Sequence, residues 1–98
     1  MIMLKRDSSP EFEFDEAKSR VNKQKHGIDF VAAQALWMDP VWVEILAQRG
    51  PEARWLVIGM IGARYWSAVI TYRHGRVRII SVRRSRPREV AYYEEDQR

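Results

Sequence analysis

Three β-rich runs follow one another with almost nothing between them: "RWLVIGMIG" over 54–62, "RYWSAVITY" over 64–72 and "RVRIISVRR" over 76–84. Each is dense in β-branched and aromatic residues, which suit a pleated, packed surface. The links are too short for a crossover helix. Gly62 permits a tight turn into Arg64, and "RHG" at 73–75 reads as a hairpin. Successive strands joined in this way form an antiparallel meander. A further run, "VWVEILA" at 41–47, puts Val41, Val43 and Ile45 on one face and leads into a loop marked by Gly50-Pro51. "RWLVIGMIG" is apolar on both faces and belongs in the centre of the sheet.

The flanks are helical. "FEF" at 12–14 alternates and reads as a short edge strand. Asp15 then serves as an N-cap with Glu16 in the first turn, and the helix runs to about His26 and stops at Gly27. Lys23, Lys25 and His26 suit its carbonyl end. Its apolar stripe is thin, only Ala17 and Val21, so it rests lightly on the core or presents its polar face to something. Asp29 caps a second helix, Phe30 to Met38, which is nearly all apolar and expected to be buried. Asp39-Pro40 ends it. Pro87 opens a last helix, about Arg86 to Glu95, with Ser85 as its cap.

The expected order is β-α-α-β-β-β-β-α. This is an α+β domain: a small antiparallel β-sheet with two N-terminal helices and one C-terminal helix. A helix pair on a small curled barrel would show the same periods. Trp37, Trp55 and Trp66 fall in apolar segments and read as core, whereas Trp42 reads as partly exposed. The 98 residues suffice for one domain. Residues 1–10 read as a disordered leader and 11–98 as the domain.

Several function classes drop out. Without cysteine there is no disulfide scaffold, thiolate nucleophile or cysteine zinc site, and two distant histidines make a metal site implausible. The longest apolar run, "WLVIGMIGA" at 55–63, is about half a membrane span. No secretion-type segment opens the chain, so a soluble cytoplasmic protein is expected. Asp15, Asp29 and Asp39 sit at element boundaries, where capping explains them, and no three carboxylates cluster as a two-metal nuclease needs.

Charge is distributed unevenly. Residues 1–53 carry seven Lys/Arg against nine Asp/Glu, and residues 54–98 carry ten against four. Thirteen of the 17 cations are arginine, whose planar fork grips phosphate bidentately. Arg73, Arg76, Arg78, Arg83, Arg84, Arg86 and Arg88 fall together with no acid among them. Strand alternation puts Arg76 and Arg78 on one face unless a bulge intervenes, and points Arg83 and Arg84 in opposite directions. This set reads as a solvated edge or as a polyanion-binding patch.

Lys25, His26 and Gly27 form a second cluster, in which a point charge adjoins an imidazole able to move a proton near neutrality. With arginines nearby, such a pair can cleave RNA without a metal. The 2′-hydroxyl attacks, a base takes its proton, cations stabilise the pentacoordinate phosphate, and an acid protonates the departing 5′-oxygen. His26 also reads as a capping histidine. Glu89 reads as a base or as a residue that orients an arginine or caps a helix. His74 reads as an exposed hairpin tip. Tyr92 and Tyr93 are candidates for base stacking or for a protein partner.

The combined pattern resembles the BrnT toxin family. "FEFDEAKSRVNKQKHGIDFVAAQALWMDP" at 12–40 is similar to that family's opening, through Phe12, Glu13, Phe14, Asp15, Lys18, Asn22, Lys25, His26, Gly27, Phe30, Asp39 and Pro40. "RWLVIG" and "RIISVRRSRPREVAYYE" are similar to its central strand and ending, through Arg54, Gly59, Arg78, Ile79, Ile80, Ser81, Arg83, Arg84, Glu89 and Tyr93. Phe14 stands where the family often has tryptophan. The resemblance implies a fold like the RelE-like ribonucleases and a toxin of a type II toxin–antitoxin module that cuts RNA, without a metal or other cofactor, and stops translation. It implies a BrnA-like antitoxin with a ribbon-helix-helix DNA-binding part, a heterotetramer with it, and contact with promoter DNA through that complex. On the residues that match, it points to Lys25, His26, Arg83 and Glu89 as catalytic, and to Arg76, Arg78, Arg84, Arg86, Arg88 and Tyr93 as RNA-binding. The competing reading is a non-enzymatic basic module that binds nucleic acid or an acidic partner and acts mainly in autoregulation.

Overall fold

A computed structural model describes residues 10–97. The strands are β1 (Phe12–Glu13), β2 (Val43–Gln48), β3 (Arg54–Ile61), β4 (Arg64–Arg73) and β5 (Arg76–Arg84). The helices are α1 (Glu16–His26), a 3-10 helix (Ala32–Met38) and α2 (Pro87–Asp96). Apart from Pro10, the leader expected over 1–10 lies outside the described residues.

The five strands form one sheet in the order β1-β5-β4-β3-β2. Strands β2 to β5 pair antiparallel, as their short links require. His74 and Gly75 both adopt positive φ (55° and 75°), the conformation a two-residue hairpin of this hand needs. The sheet is nevertheless mixed, because β1 pairs parallel to β5, with Phe12 beside Val77 and Glu13 beside Arg78. This pairing corrects the expectation of a wholly antiparallel sheet. β1 and β5 are separated by the whole meander, so no short link dictates their relative direction.

The second N-terminal helix is also corrected. It is a 3-10 helix that begins at Ala32, with the Ala32 N–H donating to Asp29 Oδ1 at 2.8 Å. Its burial explains the geometry: Phe30, Ala33, Leu36 and Asp39 are all buried. A three-residue period aligns them on one ridge, since side chains at i and i+3 eclipse in a 3-10 helix. Val31 and Met38 face outward, so the segment is not buried all round. The ridge presses on the backbone of Gly59, where a Cβ would lie 3.1 Å from Leu36 Cδ2 and 3.3 Å from Asp39 Oδ2.

Both faces of the sheet are covered. One carries Phe30, Leu36, Trp42, Val57, Trp66, Ile70, Ile79 and Val82, under the 3-10 helix. The other carries Leu56, Ile58 and Tyr93, with Val41, Val43 and Ile45 packed alongside, under α2. The predicted grouping of Val41, Val43 and Ile45 therefore stands. Trp42 points to the opposite face, which the 3-10 helix closes, so it is buried and not partly exposed. Asp39 ties the layers together. Its carboxylate accepts the Val41 and Met60 N–H groups and the Tyr93 hydroxyl, at 2.9, 2.8 and 2.9 Å.

A bulge in β5 decides which way its last residues face. Ser81 pairs with Val69 and Ile79 with Ile70, leaving Ile80 as an extra residue. The slip brings Ile79 and Val82 to the same face, three residues apart. It turns Arg83 toward α2 and Arg84 toward Trp66.

Candidate active site

α1 is fastened to β5 by one side chain. Asn22 donates to the Val82 carbonyl at 2.9 Å, accepts the Val82 N–H at 3.1 Å, and donates to the Ile28 carbonyl at 2.8 Å. The amide thus takes the place of a neighbouring strand along β5 where β1 has ended. β1 runs parallel to β5 and leads directly into α1. The last turn of α1 lines a groove with Ile80 and Ser81 of β5. Asp15 caps this helix through the Lys18 N–H at 3.0 Å, and Gly27, at φ 81°, closes it by donating to the Lys23 carbonyl.

At the C-terminal end of β5 the sheet and α2 build a polar knot. Arg83 stands opposite Ser67 in the register, and Glu89 lies in the first turn of α2. Arg83 donates Nη1 and Nη2 to Glu89 Oε1 and Oε2 at 2.8 and 2.7 Å, a bidentate pair. The Ser67 hydroxyl donates to Glu89 Oε1 at 2.8 Å, and the Arg86 N–H donates to the same oxygen at 2.9 Å. Ser67 and Ser85 share a hydrogen bond of 2.7 Å. Burial pushes the Glu89 carboxyl up, but the Arg83, Arg86 and Ser67 donors outweigh it and hold the group at about 2. The same pairing raises Arg83 above its ordinary value. A carboxylate so acidic and so fully engaged is a poor proton acceptor near neutrality. Its evident task is to fix the Arg83 guanidinium. The Arg83 Nε–H and one Nη2 hydrogen have no protein acceptor among the described residues.

The cap of α2 differs from expectation. The first extended residue before the helix is Arg86, not Ser85, and Glu89 reaches back to its N–H. Ser85 is drawn instead into the bond with Ser67.

The predicted site residues separate into three groups. The side chains of Lys25 and His26 lie exposed on the last turn of α1 and make no hydrogen bond or ion pair among the described residues. Arg84, Arg86 and Arg88 are exposed at the end of β5 and the start of α2, also without an ion pair there, and Arg84 lies over the Trp66 ring at 5.6 Å. These five lie on or against the C-terminal half of β5: Lys25 and His26 line a groove with Ile80 and Ser81, and Arg84, Arg86 and Arg88 follow the strand's end. Arg76 and Arg78 form the second group. They sit at the opposite end of β5, about 20–25 Å from Arg84 at strand rise, and pair with Glu11 and Glu13 of the N-terminal segment at 3.1 and 3.0 Å. Tyr93 stands alone, buried under α2 against Tyr65 with its hydroxyl on Asp39. No base can stack on its ring in that position, whereas the neighbouring Tyr92 is half exposed.

Sequence reasoning passed over Ser67 and Asn22 as working parts. Ser67 had a signal: it lies mid-strand in "RYWSAVITY" among apolar residues, where a hydroxyl needs a partner once buried. Among the described residues no cluster of His, Asp and Glu could hold a metal ion.

The C-terminal half of β5 thus carries a clamped arginine, exposed cations beyond it and an exposed imidazole on the groove beside it. Residues 14–89 match the model of a family described as the ribonuclease toxin, BrnT, of type II toxin–antitoxin systems. That match covers most of the chain, which therefore belongs to the BrnT family of ribonuclease toxins. Membership implies an antitoxin partner. Among curated proteins, none matches the chain.

Proposed function

We propose that this chain is a metal-independent endoribonuclease of RelE-like fold that stops translation by cutting RNA. Its site lies along the C-terminal half of β5, between the last turn of α1 on one side and the start of α2 on the other. The observation that carries this reading is the Arg83–Glu89 clamp, with both terminal guanidinium nitrogens within 2.8 Å of the carboxylate, on the strand whose Ile80 and Ser81 share a groove with Lys25 and His26. The clamp fixes an arginine without neutralising the cations around it.

In this mechanism Lys25 and Arg83 bind the scissile phosphate and stabilise its pentacoordinate form. His26 moves a proton, either from the 2′-hydroxyl or to the departing 5′-oxygen. Glu89 positions Arg83. Arg84, Arg86 and Arg88 hold the flanking backbone, and such contacts make binding salt-dependent. Tyr92, being exposed, is better placed than Tyr93 to meet a base. Arg76 and Arg78 bind RNA only if the strand extends along β5 and displaces Glu11 and Glu13. The protein acts in the cytoplasm as one domain over 11–98. A BrnA-like antitoxin with a ribbon-helix-helix part neutralises it, in a heterotetramer that contacts DNA through the antitoxin.

The test is cleavage of a defined single-stranded RNA by purified protein in excess EDTA, beside His26→Ala and Lys25→Ala. Both positions are exposed, so both variants should fold. Expected are products with 2′,3′-cyclic or 3′-phosphate ends, lost in the variants. An inert wild type would remove the ribonuclease reading. Full activity in His26→Ala would remove the role given to the imidazole.

A further inference from the structure

Helix α1 is packed inside out. Its buried residues are Ser19 and Asn22. The Ser19 hydroxyl accepts the Phe30 N–H at 2.9 Å, and Asn22 binds Val82 and Ile28. Val21, the one large aliphatic residue of this helix, is 52% exposed, and Ala17 one turn earlier is exposed too. A helix that serves only its own domain turns its apolar stripe inward.

That stripe borders a groove. Ala17 and Val21 form one wall, Ile80 of the β5 bulge the other, and Lys18, Lys25 and His26 stand at the rim. None of the α1 cations (Lys18, Arg20, Lys23, Lys25) makes an ion pair among the described residues. An aliphatic floor under a cationic rim calls for an occupant with both apolar side chains and carboxylates. A nucleic acid would use the cations and gain little from Ala17, Val21 and Ile80. It has no aliphatic side chains to bury, and its bases stack on aromatic or guanidinium planes.

We propose that the α1–β5 groove is the docking site for an acidic, amphipathic segment of the antitoxin. The inference rests on the toxin reading above. A segment seated there lies directly against Lys25 and His26, so it blocks the RNA site by occupying its rim. Complementary charge also speeds its capture.

The experiment measures binding of the protein encoded by the adjoining reading frame to three purified chains: wild type, Val21→Gln and, as a control on the far edge strand, Leu46→Gln. Glutamine is at least as good a helix former as valine, so α1 should persist. RNA cleavage by each free chain is measured in parallel. Losing one buried aliphatic contact should weaken Val21→Gln about ten-fold or more. Leu46→Gln should bind as wild type, and all three should cut RNA equally. Wild-type affinity in Val21→Gln overturns the groove while leaving the toxin reading intact. Cleavage lost in Val21→Gln with partner binding unchanged overturns it in favour of RNA. No binding by wild type removes this partner altogether, and the inference with it.

Discussion

Replacing Glu89 with glutamine tests the clamp without changing its shape. The amide keeps one acceptor oxygen but loses the charge that faces Arg83. Two estimates of the cost can be compared. The carboxyl sits at about 2, against an ordinary 4.5. That difference, at about 1.4 kcal/mol per pH unit, corresponds to roughly 3 kcal/mol. Breaking a largely buried ion pair by removing one partner independently costs about 3–5 kcal/mol. The folded state holds this carboxyl below its unfolded value. Its contribution is therefore complete above about pH 4.5 and is lost as pH falls toward 2. The assay is urea unfolding followed by tryptophan fluorescence, for wild type and Glu89→Gln, from pH 7 to pH 3.5. Subtracting the two cancels carboxylates common to both. The expected gap is about 3 kcal/mol at pH 7, shrinking by roughly 1 kcal/mol by pH 3.5. A gap under 1 kcal/mol, or one that does not change with pH, would refute the reasoning.

Two further outcomes arise from the packing. Asn22→Leu leaves the Val82 N–H and carbonyl without partners on β5, and should lower stability by about 2–4 kcal/mol. A thermal melt should then fall by 10 °C or more, and a smaller drop would mean water replaces the amide. Tyr93→Phe removes only the hydroxyl on Asp39 and should cost about 1–2 kcal/mol in a urea titration. It should leave RNA cleavage unchanged, and lost cleavage at retained stability would return Tyr93 to the site.

Local chemistry was the readable part of this sequence. The meander, its glycine turns, the Asp15 cap and the Gly27 stop all come from residues within a few positions of one another. The arginines were harder to read, because their partners are distant in the chain. Glu11, Glu13 and Glu52 reach Arg76, Arg78 and Arg73 across 21 to 65 positions. A cluster with no acid among its neighbours thus became a row of ion pairs at one end and, among the described residues, cations without an ion pair at the other. The direction of α1 was hidden for a related reason. Its period could not tell that Asn22 would be drawn inward by unpaired groups on Val82. The 3-10 geometry shows in the sequence only once Phe30, Ala33, Leu36 and Asp39 are known to share a ridge.

The clamp joins its partners over a very short stretch of chain. Arg83 and Glu89 are 6 positions apart, so closing the loop between them costs little chain entropy. Asn22, by contrast, reaches Val82 across 60 positions. The end of β5 and the first turn of α2 can therefore lock together whether or not α1 has docked on the same strand.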